Sequence, residues 1–151
     1  MTPQITATIG ASKTMPAGFT YLGQFIDHDL TFDKTAVMEG ADVSPADIEQ
    51  ARSPSLDLDS LYGAGPQDPA SAKFYESDGL HLKLGSAAGG PPSAGFDLPR
   101  KGSGPKAREA VIPDPRNDEN LAVAQTHLAF IRFHNRVVDT LPGSVPPAQR
   151  F

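Results

Sequence analysis

Hydrophobic residues recur with a helical period in two segments of the chain, and no sustained period connects them. In the first, Leu22, Phe25, Ile26 and Leu30 share an apolar arc downstream of Pro16, which predicts a helix over 16–30 with the proline near its first turn. In the second, Leu121, Ala124, Leu128, Ile131 and Val138 fall at spacings of three, four and seven. That spacing predicts an amphipathic helix over 117–141, about six to seven turns long. Acids and amides at its start suit a helix N-terminus, and Pro142-Gly143 stops it.

The middle of the chain is less regular. Residues 42–50 predict a short helical turn, and 53–63 alternate Leu with Asp or Ser at Leu56, Leu58 and Leu61. The stretch KFYESDGLHLKL, 73–84, predicts a hairpin around Asp78-Gly79. Residues 85–115 are rich in Gly and Pro and predict no regular structure. A segment of that kind is uncommon in a compact domain unless it is functional or packs on something else. The expected class is mainly α within one domain, with long Gly/Pro-rich loops and at most a short hairpin.

Composition narrows the function classes. A net charge of -5 and a pI near 5.2 argue against a nucleic-acid footprint, which needs a basic stripe. The basic residues between Lys101 and Arg108 are interleaved with Gly and Pro and read as a solvated loop. With no cysteine, disulfides and thiolate metal sites are excluded. No apolar run is long enough to span a bilayer, and the N-terminus does not read as a charged-then-apolar leader, which leaves the compartment open. The 14 Gly and 15 Pro make much of the chain loop without reaching low complexity.

Three clusters carry candidate chemistry. The first is GQFIDHDLTF, 23–32, where His28 stands between two aspartates inside an apolar run. Successive helix residues step by about 100°, so Gln24, Asp27 and His28 share a face while Asp29 points into the apolar arc. A buried carboxylate there needs a cation or hydrogen-bond donors. Adjacent helix residues diverge, so Asp27, His28 and Asp29 do not chelate one transition-metal ion together. The plain alternative is a satisfied helical histidine at a frayed helix end.

The second is SPSLDLDSLYG, 53–63, which spaces Ser53, Ser55, Asp57 and Asp59 by two and so places several oxygens on one side of an extended segment. Hard oxygens without His or Cys suit calcium, although the loop lacks the glycine and terminal glutamate of an EF-hand. A solvated strand edge is the competing reading. The third is PDPRNDENLAV, 113–123, with Arg116 at a helix entrance and Glu119 in the first turn, an arrangement that ordinary capping also explains. His81 lies in the hairpin. His127 and His134 are spaced too widely on the long helix for i,i+4 chelation and read as structural.

In this order, GQFIDHDLTF, SLDLDSLYG and RNDE…HLAFIRFHNRVVD resemble the peroxidase–cyclooxygenase superfamily, the animal-type haem peroxidases, which also occur in bacteria. The likeness touches residues 15–141 with an unmatched middle. It implies a haem-peroxidase-like helical fold with haem b and Ca2+ as cofactors. His28 matches the distal histidine, Gln24 a distal-pocket glutamine and Arg116 the distal arginine. Asp27 and Glu119 match carboxylates that form ester links to haem, and Asn120 stands where myeloperoxidase-like members carry a sulfonium-forming methionine. Asp29, Ser53, Ser55 (by its carbonyl), Asp57 and Asp59 fall on calcium positions.

The implied activity is oxidation of a halide, thiocyanate or aromatic donor by hydrogen peroxide, of the kind that serves the response to oxidative stress. His28 would move a proton between the two peroxide oxygens, and Arg116 and Gln24 would stabilise the developing charge. The pairing of Asp27 with Glu119 favours this over a fatty-acid dioxygenase of the same superfamily. A truncated calcium-binding module without haem activity is the non-enzymatic alternative. The family's proximal histidine lies far beyond the distal arginine, and only 35 residues follow Arg116. The expectation is therefore an incomplete domain, the distal half of a site whose partner is the remainder of a peroxidase chain carrying the iron ligand.

Overall fold

The structure, a computed structural model, describes residues 14–35, 40, 42, 44–87, 95–142 and 145. Two helices form its frame: α1, Gly18–Leu30, and α3, Leu121–Thr140, with the single-turn α2, Asp59–Tyr62, between them. A two-stranded antiparallel sheet pairs β1, Gly85–Ser86, with β2, Phe96–Asp97. The architecture is mainly α with one short β ladder.

Helix α1 starts two residues later than the sequence predicts. Pro16 and Ala17 lie outside it and offer their carbonyls to Phe19 and Thr20. Its buried residues are Phe25, His28 and Asp29. At its C-terminus Thr31 returns both its amide and its hydroxyl to the Asp27 carbonyl. The chain then doubles back through an isolated antiparallel bridge between Asp33 and Gln50 and a 3-10 turn at Pro45–Asp47 that a Ser44–Asp47 capping box closes. This return lays residues 52–60 against α1.

The predicted start of the long helix needs correction. Residues Pro115–Asp118 form a 3-10 turn opened by Asp114, whose side chain accepts from the Arg116 amide. Helix α3 begins only at Leu121, with Asn120 as N-cap accepting from the Val123 amide. This shift leaves Leu121 exposed at 77 % and gives its expected core position to Val123. The buried stripe then runs through Ala124, His127, Leu128, Ile131, His134 and Val138.

The core joins Phe25 of α1, Leu61 of α2, Tyr75, Leu82, Leu98 and Ile112 from the connecting segments, and Val123, Ala124, Leu128 and Ile131 of α3. Phe25 stacks on Phe130 with centroids 4.6 Å apart and meets His127 edge-on at 5.8 Å.

The predicted hairpin reduces to one antiparallel bridge, Tyr75 to Leu82, around the Asp78-Gly79 turn. Helix α3 holds it from outside. His134 Nε2 donates to the Leu80 carbonyl at 2.8 Å, and the Asn135 side chain pairs with both the amide and the carbonyl of Leu82 at 2.8 Å. The 85–115 stretch, expected to be irregular, contains the β1–β2 ladder and a further bridge between Arg100 and Ala110. Gly85 permits that ladder, because a Cβ there would lie 2.3 Å from the Leu98 carbonyl oxygen. Arg100 then clamps β2 to the Pro115–Asp118 turn through Asp97 and Asp118.

Candidate functional site

Residues 27–29, three ionisable groups in a row, face three environments. Asp27 is exposed, His28 is buried at 5 % and Asp29 is buried completely. Gln24, one turn before His28, is partly buried, so the face shared by Gln24, Asp27 and His28 runs from solvent into the interior.

Asp29 finds donors and company in the loop before α2. Its Oδ2 accepts from the Leu58 amide at 2.8 Å and its Oδ1 from the Ser60 amide at 3.1 Å. Leu58 reaches this position in a left-handed conformation, φ 61°, strained for a branched side chain. The turn brings Asp57 and Asp59 beside Asp29, with one carboxylate oxygen of each within 4.8 Å of the others. Two amide bonds leave lone pairs on Asp29 for a further ligand. Three carboxylates at this separation suit a hard cation that takes oxygen ligands. Of the other two residues of that set, the Ser53 hydroxyl accepts from the Ser55 amide at 3.2 Å, and both residues are exposed.

Burial, with the neighbouring charges of Asp57 and Asp29 adding to it, pushes the Asp59 carboxyl up against the pull of Arg52. Arg52 stands 2.8 Å from Asp59 and 2.7 Å from Asp114. No sequence motif singled out either Arg52 or Asp114. Asp114 is fully buried and takes a second guanidinium, Arg116, through Nε at 3.1 Å and Nη2 at 2.7 Å. Burial would push the Asp114 carboxyl up, but the bonds from Arg116 and Arg52 outweigh it and hold the group below the ordinary carboxylate range. An ion-pair chain thus runs from the acidic cluster, through Arg52 and Asp114, to Arg116.

Arg116 ends on α1. Its Nη2 donates to the carbonyls of His28, 2.8 Å, and Thr31, 2.6 Å, and its guanidinium lies 4.6 Å from the Phe32 ring centroid. It therefore satisfies carbonyls left open at the helix C-terminus. Among the described residues its Nη1 makes no hydrogen bond. Asn117, the next residue, is fully buried, and its Oδ1 lies 2.8 Å from His28 Nδ1. Glu119 is exposed and accepts from Gln24 Nε2 at 3.2 Å, while Asn120 Nδ2 reaches Gln24 Oε1 at 3.3 Å.

Gln24 is thus tied to Glu119, and His28 to Arg116 and Asn117, across 88 residues or more of chain. Asp27 shows no bond to them and stands on the exposed side of α1, which also carries Phe19 and Gly23. A Cβ on Gly23 would meet nothing within 4 Å. Asp27, on the exposed side of α1, and Glu119, bonded to Gln24, are both exposed carboxylates.

No family model, curated protein or solved structure matches the chain. Function therefore rests on the residues.

The other three histidines are placed elsewhere. His81 lies between Asp78 and Asp139 on the surface, and His134 bonds Tyr62 and Leu80. His127 is fully buried beneath Phe25, and among the described residues neither of its ring nitrogens has a hydrogen-bond partner. Among the described residues no helix is long and apolar enough to cross a membrane.

Proposed function

We propose that this chain forms the distal side of a haem peroxidase, with His28 as the acid–base group for hydrogen peroxide. The observation that carries the reading is the meeting of α1 with the Pro115–Asp118 turn. Within one helical turn, Gln24 bonds Glu119, while Arg116 and Asn117 bond the backbone and the ring of His28. A structural role alone would account for the Arg116 cap. The further role is supported by His28 Nε2, which makes no hydrogen bond among the described residues, and by the exposed carboxylates of Asp27 and Glu119 near the same helix face.

Haem b would supply the redox chemistry, held along that face by Asp27 and Glu119. His28 would accept a proton from one peroxide oxygen and deliver it to the other, as suits an imidazole, which can both accept and donate a proton. Arg116, through Nη1, and Gln24 would oppose the developing negative charge. Calcium held by Asp29, Asp57 and Asp59, with Ser53 and the Ser55 carbonyl as further oxygens, would brace the backbone next to His28. A further segment of a peroxidase chain would supply the iron ligand, and the electron donor would be a halide, thiocyanate or small aromatic.

The acidic cluster taken alone favours a narrower reading, a calcium-binding module without haem. Haem titration separates the two. Joined to a segment that supplies the iron ligand, the protein should show a Soret band and oxidise a dye with peroxide. There, His28→Ala should slow peroxide cleavage by about 10²-fold or more. A protein that binds calcium but shows neither Soret band nor oxidation would leave only the narrower reading.

A further inference from the structure

Arg116 and Asn117 grip one residue from two sides. Arg116 Nη2 holds the main-chain carbonyl of His28 at 2.8 Å, and Asn117 Oδ1 lies 2.8 Å from the ring at Nδ1. Both residues sit in a 3-10 turn that Asp114 fixes, by its side chain to the Arg116 amide and by its carbonyl to the Asn117 amide at 3.1 Å. Asn117 is fully buried and His28 nearly so, which leaves neither side chain much room to rotate. An amide oxygen can only accept, so the nitrogen facing it must carry the proton. Among the described residues His28 Nε2 makes no hydrogen bond.

We propose that Asn117 is a positioning residue for His28: through Oδ1 it holds the imidazole in its Nδ1–H form, which makes Nε2 the nitrogen that receives the substrate's proton. The inference rests on the reading of His28 as the acid–base group and specifies which ring atom does the work. A neutral histidine side chain in water favours the opposite form, with the proton on Nε2, so the protein has to impose this one. Among the described residues the buried Asn117 Nδ2 has no hydrogen-bond partner. A leucine of similar volume would remove that unsatisfied donor, so stability alone gives little reason for an asparagine at this position. The bond to His28 does.

The test is the nitrogen spectrum of the histidine rings in the whole 151-residue chain at about pH 8.5, where an ordinary imidazole is neutral. In wild type the His28 pattern should be that of Nδ1–H. Asn117→Asp, which keeps an acceptor in place, should keep the Nδ1 proton. Asn117→Leu should interchange the two nitrogen resonances to the Nε2–H pattern. His134, whose Nε2 donates to the Leu80 carbonyl, reports correct folding by staying Nε2–H throughout.

A wild-type His28 already in the Nε2–H form overturns the proposal, and so does a folded Asn117→Leu chain with an unchanged His28 pattern. Should the leucine variant not fold, the wild-type and aspartate spectra decide. None of these spectra needs haem. A protein with the Nδ1–H pattern and no peroxide chemistry would keep the Asn117 assignment and lose the peroxidase reading. The reverse result would keep peroxidase chemistry and lose Asn117.

Discussion

Replacing Asp114 by alanine takes away a carboxylate that Arg52 and Arg116 share, and the structure sets the size of the loss. Asp114 is fully buried and accepts from Arg52 Nη2, from Arg116 Nε and Nη2, and from the Arg116 amide. Removing one partner of a buried ion pair costs about 3–5 kcal/mol, because the remaining charge is left uncompensated. Here the low end applies. The Arg52 and Arg116 side chains keep 14 % and 25 % exposure, Arg52 keeps Asp59, and Arg116 keeps two carbonyls. Loss of the side chain that opens the Pro115–Asp118 turn adds about 1 kcal/mol. The expected destabilisation is about 4 kcal/mol, a large share of the ~5–15 kcal/mol typical of a domain.

Urea unfolding followed by circular dichroism measures this as a lower midpoint at unchanged slope. Asp114→Asn retains an acceptor for the Arg116 amide and loses the charge, so it should fall between wild type and alanine. The pH dependence has a definite sign. The folded-state pKa of Asp114 lies below its unfolded value. Its contribution is therefore complete above the unfolded pKa, about 3.9, and is lost as pH falls through the folded one. The stability gap between wild type and Asp114→Asn should narrow below about pH 4. An alanine penalty under about 1 kcal/mol, the scale of a surface pair, would refute the buried-network argument. A gap that stays constant on acidification would refute the assignment to charge.

Three further outcomes follow from single observations. Burial holds the His127 pKa down to about 4, so its contribution is full above the ordinary value near 6.5 and is lost as pH falls towards 4, by about 3 kcal/mol in all. His127→Leu should flatten that acid limb and stay within about 1 kcal/mol of wild type at pH 7, since an unsatisfied polar ring is replaced by an apolar one; an unchanged acid limb in urea melts would show that the ring is not buried neutral. Hydrogen bonds that the His81 ring donates to Asp78 and Asp139 outweigh burial and raise its pKa, so this contact stabilises below the ordinary value and is lost as pH rises through the folded one. Its exposure limits the effect to under about 1 kcal/mol, and an NMR titration should find His81 raised in wild type and lowered by Asp139→Asn. Gly85→Ala would place a methyl 2.3 Å from the Leu98 carbonyl oxygen, which should cost about 1–3 kcal/mol and broaden the amide signals of 85–86 and 96–98; an unaffected melting curve would mean that the β1–β2 ladder opens freely.

The two long helices were legible because their apolar stripes exceed any loop signal, and the angular step of α1 placed Asp29 on the buried side. The boundaries were less so. Asn117, Asp118 and Glu119 have the composition of a helix start, but Asp114 captures the Arg116 amide and Asn120 caps the Val123 amide. Two N-terminal caps within six residues yield a 3-10 turn followed by a separate helix, and composition alone cannot say which cap begins α3. The β1–β2 ladder, two residues a side, is too short for an alternating pattern. Arg52 and Asp114 carry no local signal, because Asp114 lies between two prolines, Arg52 lies in a loop, and their value lies in a contact 62 residues apart.

The site is divided by residue adjacency in both of its halves. On α1, neighbours at 27, 28 and 29 diverge by about 100° each, so Asp27 reaches solvent, His28 faces Asn117 and Asp29 enters the interior beside Leu58 and Ser60. In the Pro115–Asp118 turn, neighbours at 116 and 117 take the backbone and the ring of a single residue. The ion-pair chain from Asp59 through Arg52 and Asp114 to Arg116 joins the acidic cluster to the same helix end. Asp29, next to His28, closes the loop from the other direction by holding the amides of Leu58 and Ser60. A cation at Asp29, Asp57 and Asp59 would thus act on His28 by two routes, one along the α1 backbone and one through Arg52, because both begin at the carboxylates it would bind.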